Sequence, residues 1–281
     1  MITQPVKWHG GKHYLASWII QHMPPHTHYV EPFFGGGSVL LKKSPFKVSE
    51  VVNDLDGELT NFWRTLACPE RFKEFSRIIT AVPFIEEWWK QAGEEEGRWI
   101  TPLAMKEVKR SVAFFVRARQ SRQGLMEDFA TLSRRRTRRG MNEQVSAFLT
   151  AVEGLEDVHE RMKRVVVLNH DAVDVIRQQD GVGTLFYCDP PYLHDTRVTT
   201  EDYRFEMTRM DHRHLLGMLA RIKGRFLLSG YPSAMYRVAE EEYGWKKDVK
   251  EIDNKASGKG VKDIKEECLW MNFSISEGKG V

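Results

Sequence analysis

Tyr29-Val30-Glu31-Pro32-Phe33-Phe34-Gly35-Gly36-Gly37-Ser38-Val39-Leu40-Leu41 reads as a short strand, a tight glycine loop and the opening of a helix at Ser38. The unit is followed by a second one. The apolar run Glu50-Val51-Val52-Asn53-Asp54 precedes Asp56, a good helix N-cap, and Leu59, Phe62, Trp63 and Leu66 recur at helical spacing behind it. Strands alternating with amphipathic helices favour a mostly parallel α/β sheet. The rhythm resumes at Val165-Val166-Val167-Leu168, a helix over Ala172 to Gln178, and the strand Gly183 to Cys188. A helix carrying Leu215, Leu216, Met218, Leu219 and Ile222 follows, then the strand Arg225 to Ser229. A hairpin of Trp245 to Ile252 with Glu267 to Phe273 closes the pattern around a Lys/Gly-rich loop.

Between Cys68 and Arg164 the strand signal disappears. Helical periodicity, the acidic loop Gly93-Glu94-Glu95-Glu96-Gly97 and a basic stretch indicate an inserted helical subdomain. Its last helix is expected over Asn142 to Met162, with Val145, Phe148, Leu149, Val152, Leu155, Val158 and Met162 on one face. The domain expectation is therefore a catalytic domain of residues 1–67 and 165–281, interrupted by residues 68–164.

The 281 residues are 41% hydrophobic and 29% charged, with a formal net charge of +3, which excludes collagen-like and disordered classes. Three cysteines, Cys68, Cys188 and Cys268, without a C-x-x-C pair, argue against a disulfide framework and a thiolate zinc site. Met1 to Lys12 lacks the apolar core of a signal peptide, and no run approaches the roughly 18 apolar residues of a membrane span. The expectation is a soluble cytoplasmic protein, monomeric, with no metal and no membrane partner.

Glycine permits unusual dihedrals and close approach of a ligand to the backbone, and a helix N-terminus behind the loop would attract anions. A G-x-G-x-x-G dinucleotide fingerprint is not met, since Leu40 stands at the third glycine position. A structural turn explains the loop alone equally well. Asp54 ends the second strand, where a carboxylate can accept hydrogen bonds from ribose hydroxyls. The most informative string is Asp189-Pro190-Pro191-Tyr192. A strand running into two prolines places a carboxylate, a carbonyl and an aromatic ring on one rigid ledge. Such a ledge suits a planar amine: Asp189 and the Pro190 carbonyl each accept one of its hydrogens, and Tyr192 stacks on the heterocycle.

With these motifs the chain resembles the Dam-like (alpha-group) DNA adenine-N6 methyltransferases, which use S-adenosylmethionine (SAM). The resemblance covers nearly the whole chain. Lys7-Trp8-His9-Gly10-Gly11-Lys12 looks like the N-terminal SAM motif, Glu31 to Ser38 the glycine loop, Asn53-Asp54 the ribose-binding acid and Asp189 to Tyr192 the catalytic motif. It implies a Rossmann-like class I SAM-dependent methyltransferase sheet with an inserted, mainly helical target-recognition subdomain. It also implies SAM contacts by Lys7, Trp8, Lys12, Glu31, Pro32, Phe33, Phe34, Gly35, Gly37, Ser38, Asp54, Asp171 and Asp189. Lys7 would lie near the methionine carboxylate and Asp171 beside the adenine, although an N-cap explains Asp171 equally well. The target would be the N6 amine of an adenine flipped out of duplex DNA.

Lys106 to Arg139 holds eleven Lys and Arg against three acidic residues, a local excess of eight. Arg134, Arg135, Arg136, Arg138 and Arg139 suit phosphate contacts, with Arg117 beside them. Arg119, Gln120, Ser121 and Arg122 are expected to read base edges. Lys255, Lys259, Lys262 and Lys265 form a second candidate clamp, or a flexible hairpin loop. This Arg/Gln/Ser-rich insertion departs from the GATC-methylating members and looks like a phage or prophage branch. Cytosine-N4 or RNA adenine methylation would use the same ledge. A nicotinamide oxidoreductase would leave the ledge and the basic insertion unexplained, and a catalytically silent DNA-binding protein would leave the motif set unexplained.

Overall fold

Tyr29 and Val30 are fully buried because their strand lies inside a sheet that is covered on both faces. The structure is a computed structural model that describes residues 2–8, 10–94, 104–193, 205–253 and 264–274. His9, Glu95 to Gly97, Lys255, Lys259, Lys262 and the side chain of Lys265 lie outside the described residues. In chain order the elements are α1 (Ala16–Gln21), β1 (His28–Glu31), β2 (Ser49–Asn53), α2 (Gly57–Ala67), α3 (Pro69–Thr80), α4 (Glu86–Glu94), α5 (Lys106–Arg119), β3 (Thr137–Arg138) and β4 (Met141–Asn142). They continue with α6 (Glu143–Glu153), α7 (Leu155–Met162), β5 (Val165–Leu168), α8 (Ala172–Gln179), β6 (Thr184–Cys188), α9 (Arg209–Leu219), β7 (Arg225–Gly230), α10 (Ala234–Tyr243), β8 (Lys246–Asp253) and β9 (Ile264–Met271).

Seven strands form one sheet in the order β5-β2-β1-β6-β7-β9-β8. β1 is parallel to β2 and to β6, and β6 to β7, whereas β9 is antiparallel to β7 and β8. This is the class I methyltransferase arrangement expected from the sequence. Every residue of β6 is buried, as a central parallel strand requires. The strand order reverses at β1, with β2 on one side and β6 on the other. Open α/β sheets bind ligands beyond the carboxyl ends of their strands at such a switch point.

Two compact units divide the chain, one of residues 1–16, 35–44 and 56–169, the other of residues 17–34, 45–55 and 170–281. The first is built around helices. Asp56 caps α2 by accepting from the Glu58 and Leu59 amides, and α2 delivers Leu59, Phe62, Trp63 and Leu66 to the core as its spacing predicts. Phe62 meets Phe75, Phe114 and Phe115 at centroid distances of 6.0, 5.5 and 6.0 Å, separations typical of interlocked aromatic cores.

Three local expectations are corrected. Ser38 to Leu41 forms turns rather than a helix: the Leu41 amide reaches the Gly37 carbonyl, but Lys42 and Lys43 both donate to Val39. Pro45 disfavours helical backbone at the preceding residue, and Val39, Leu40 and Leu41 are all buried, so no amphipathic face can develop. No helix dipole therefore stands behind the glycine loop. The expected helix over Asn142 to Met162 breaks at Gly154 into α6 and α7, and Val145, Leu149 and Val152 are only half-buried. The insertion also holds a β-hairpin, in which Arg138 pairs with Met141 across the Arg139-Gly140 turn. Both turn residues have positive φ, 57° and 74°, the dihedral signs of the two-residue turn that matches strand twist.

Candidate active site

In the unit of residues 17–34, 45–55 and 170–281, three strand-end segments are fastened by one side chain. Asn53, at the end of β2, donates from Nδ2 to the Pro32 and His170 carbonyls at 3.0 Å each, and its Oδ1 accepts from the His170 amide at 2.9 Å. Its own carbonyl accepts from the Phe34 amide at 2.9 Å. A buried amide with donors and acceptors matched is a stiff clamp, and it fixes the loop that begins with Pro32 beside Asp54. The sequence marks Asn53 only as the neighbour of Asp54.

Glu31 is buried, and the Tyr29 hydroxyl donates to its carboxylate at 2.6 Å. Burial first, and the Glu31 charge second, push the Tyr29 phenol pKa well above its ordinary value, so the phenol stays a donor. Pro32 and Phe34 are buried, while Phe33 and Asp54 are half-buried. Asp171 is exposed and caps α8, accepting from the Val173 and Asp174 amides at 2.8 and 3.3 Å. Glu31 thus ends β1, and Asp54 and Asp189 follow the carboxyl ends of β2 and β6, a carboxylate-rich edge suited to a ligand with hydroxyls and positive charge.

The ledge follows from β6. Pro190 and Pro191 have no amide proton to continue a ladder, so the chain leaves the sheet at Cys188. Asp189 is half-buried, Pro190 buried, Pro191 half-buried and Tyr192 buried. Burial, and then the Asp189 charge, raise the pKa of the Tyr187 phenol and of the Cys188 thiol, which keeps Cys188 protonated and without nucleophilic character. The Tyr187 hydroxyl is paired with Ser229 Oγ at 3.0 Å. The Tyr192 hydroxyl donates to Glu267 on β9, and the Tyr192 ring meets Tyr231 at 4.6 Å and 73°. Sequence reasoning found neither Glu267 nor Tyr231.

In the unit of residues 1–16, 35–44 and 56–169, the N-terminal segment packs on the glycine loop. The Trp63 indole donates to the Gly35 carbonyl at 3.0 Å and Ser38 Oγ donates to Gln4 Oε1 at 3.0 Å. Gly35 has φ of +50°, and a Cβ there would lie 2.8 Å from Trp8 Nε1. Gly37 also has positive φ, and Lys12 is buried with Nζ donating to the Gly10 carbonyl at 3.1 Å. Gly35→Ala is therefore expected to cost about 1–3 kcal/mol through left-handed backbone and overpacking. Thermal unfolding without any ligand checks this, since an unchanged midpoint would mean that the glycine serves a ligand alone.

Lys7 is half-buried, with Nζ donating to Gln144 Oε1 at 3.1 Å. Burial, and then the Arg119 charge, lower its pKa from 10.5 to about 8. Between these values the unfolded chain holds the proton that the folded chain releases, so this group's contribution to stability rises with pH across that window. The stability difference between wild type and Lys7→Met is expected to shift in favour of the wild type from pH 8 to 10.5. Parallel pH curves would contradict it.

Residues 8–257 match the family model of the D12 class N6 adenine-specific DNA methyltransferases. The chain belongs to this family. It is also similar to the DNA N-6-adenine-methyltransferase of Escherichia phage P1, with 28% identity over 213 residues, 71% of this chain and 26% of the relative. The type II methyltransferase M1.LlaDCHI of Lactococcus lactis subsp. cremoris is 41% identical over 61 residues, 21% of each chain. The chain thus spans about a quarter of the phage relative's length and a fifth of the lactococcal one's.

In this D12-class chain the basic segment divides into an inward and an outward part. The Arg117 guanidinium lies 3.9 Å over the Trp89 ring and donates to the Met126 carbonyl. Arg119 Nη2 donates to the Ala147 carbonyl at 2.6 Å. Gln120 and Ser121 are fully buried, donating to the Pro83 and Ala118 carbonyls at 3.0 and 3.2 Å. The base-edge expectation for Gln120 and Ser121 is corrected: both follow the end of α5 and satisfy interior carbonyls, and Arg119 is committed likewise. Arg122 is exposed, as are Arg134, Arg135, Arg136, Arg138 and Arg139 around the β3–β4 hairpin. Arg139 makes a two-pronged contact with Glu153 at 2.9 and 3.0 Å, and Arg136 approaches Glu143 at 3.6 Å. Arg134, Arg135 and Arg138 have no acidic partner among the described residues. No helix among those residues is long and apolar enough to cross a membrane.

Proposed function

We propose that the chain transfers a methyl group from SAM to the N6 amine of a flipped-out adenine in duplex DNA. The observation that carries this reading is the Asp189 to Tyr192 ledge at the carboxyl end of β6, beside the switch point, in a chain of the D12 class. SAM would be held by Glu31, Pro32, Phe33, Phe34, Asp54 and Asp171, and by Lys7, Trp8, Lys12, Gly35, Gly37 and Ser38, each through its motif. The carboxylates of Glu31, at the end of β1, and Asp54, just after β2, fit a cationic ligand bearing ribose hydroxyls. When bound, SAM supplies a methyl group already activated by a sulfonium.

The chain's own residues must then orient the amine and exclude water. Asp189 accepts one N6 hydrogen and the Pro190 carbonyl the other. Both bonds strengthen as the nitrogen becomes positive, which is stabilisation specific to the transition state. Tyr192 offers a ring to the extruded base and so offsets part of the few kcal/mol lost on unstacking. Residues 68–164 act as the target-recognition insertion in a catalytic domain of residues 1–67 and 165–281. The exposed arginines of the hairpin contact DNA phosphates.

The direct test incubates the protein with labelled SAM and unmethylated duplex DNA, single-stranded DNA or RNA, followed by nucleoside mass spectrometry. N6-methyldeoxyadenosine from duplex DNA is expected. N4-methyldeoxycytidine or methylated RNA would overturn the substrate, and bound SAM without transfer to any pool would overturn the activity.

A further inference from the structure

The antiparallel course of β9 brings its early residues to the carboxyl edge of β7, since Gly230, the last residue of β7, pairs with Cys268. Glu267 precedes that pair and Tyr231 follows it. Glu267 is 2% exposed, and a carboxylate that deeply buried needs hydrogen-bond donors. One donor is the Tyr192 hydroxyl, the last residue of the ledge. A phenol donating to a carboxylate is a charge-assisted bond, roughly twice as strong as a neutral one. Tyr231 restrains the same ring from another side, at 4.6 Å and near-perpendicular. Tyr192 is thus held at its hydroxyl and along its ring, and neither restraint comes from the ledge itself. Burial, followed by the Glu267 and Asp189 charges, drives the phenol pKa well above its ordinary value, so the donor persists at every working pH.

We propose that Glu267 is a positioning residue for methyl transfer: by accepting the Tyr192 hydroxyl it fixes the ring on which the target base is received. This rests on the methyltransferase reading above. Glu267 touches neither base nor cofactor in this role. It acts through Tyr192, so its loss moves the rate of transfer and leaves SAM affinity in place.

The test is a double-mutant cycle in the full chain, with single-turnover methyl transfer to unmethylated duplex DNA and SAM affinity measured separately. Glu267→Ala is expected to slow transfer about 10- to 100-fold, the scale of a misplaced reacting group, with SAM affinity within about threefold of wild type. Glu267→Gln retains an acceptor oxygen and is expected to recover most of the lost rate. In a Tyr192→Phe background, where the hydroxyl is absent, replacing Glu267 is expected to change the rate by no more than about twofold. An equal loss in both backgrounds would overturn the proposal, as would a Gln variant as slow as Ala. Should the Ala variant not fold, Tyr192→Phe removes the same bond from the donor side while keeping the ring and is expected to slow transfer to a similar degree with SAM affinity unchanged; a Tyr192→Phe variant at the wild-type rate would overturn the proposal. A wild type that forms no N6-methyldeoxyadenosine would strike the functional reading instead, whereas an active wild type with an additive cycle would strike only Glu267.

Discussion

Asp189→Ala is expected to bind SAM with nearly wild-type affinity and to lose methyl transfer by about 10²- to 10³-fold or more, the usual cost of removing one preorganised transition-state contact. The amine that becomes positive during transfer would face a methyl group instead of a carboxylate. Its lone pair would stay delocalised into the ring. Fold loss is not the expected cause, because Asp189 is only half-buried and no cavity of consequence is left behind. Its charge also presses on the buried Tyr187 and Tyr192 phenols and on the Cys188 thiol. Their neutral forms remain favoured by burial alone, so these groups contribute no change and the variant should unfold close to the wild-type temperature. Calorimetric titration with SAM, thermal unfolding and single-turnover transfer separate the cases. Turnover at the wild-type rate would remove Asp189 from the reaction, and loss of SAM binding alongside the rate would make its cofactor contact the dominant role.

The order of strands and helices is legible because each is announced by local chemistry: continuous apolar runs for β2, β5 and β6, a capping Asp56 before α2, prolines after Cys188. Misreadings arise where local signals compete with packing. Ser38 to Leu41 carries helix-compatible residues, but burial on all sides and Pro45 leave only turns. Gln120 and Ser121 are polar and lie in a basic stretch, which suggests a nucleic-acid surface. Both side chains are instead fully buried and donate to the Pro83 and Ala118 backbone carbonyls. The Arg139-Gly140 turn left a trace in the sequence, a glycine after a polar residue between two short segments, that composition alone does not single out.

Glu267 illustrates the deeper limit. Lys265-Glu266-Glu267 reads as an ordinary charged strand start, and 75 residues separate Glu267 from Tyr192. Only the pairing of β9 between β7 and β8 brings the carboxylate to the ledge. Asn53 is the same case on a smaller scale: its fastening of the Pro32 and His170 segments requires three strand ends to be neighbours, and residue type cannot show that. Motif residues are readable because the chemistry needs them by type. The residues that hold them are chosen by topology.

The combined variant Arg134→Ala, Arg135→Ala, Arg138→Ala should weaken DNA binding uniformly across sequences and flatten its salt dependence. If each arginine neutralises one phosphate, the slope of log affinity against log salt falls by about 2.7. Between 50 and 200 mM salt, wild-type binding should then drop about 40-fold more than that of the variant. These three were chosen over Arg136 and Arg139 because the latter already face Glu143 and Glu153, and removing them would expose acidic charge as well as delete basic charge. All three are exposed, so stability should change by less than about 0.5 kcal/mol, and SAM affinity should be unaffected. Gln120→Ala is the contrasting variant. It removes a fully buried side chain that donates to the Pro83 carbonyl, so it should lower the unfolding temperature and leave the salt slope alone. Fluorescence-anisotropy titrations of duplex DNA at several salt concentrations distinguish the two behaviours. A triple variant with the wild-type slope would show that the hairpin is not the phosphate-binding element, and a Gln120→Ala variant with a reduced slope and normal stability would return Gln120 to the DNA interface.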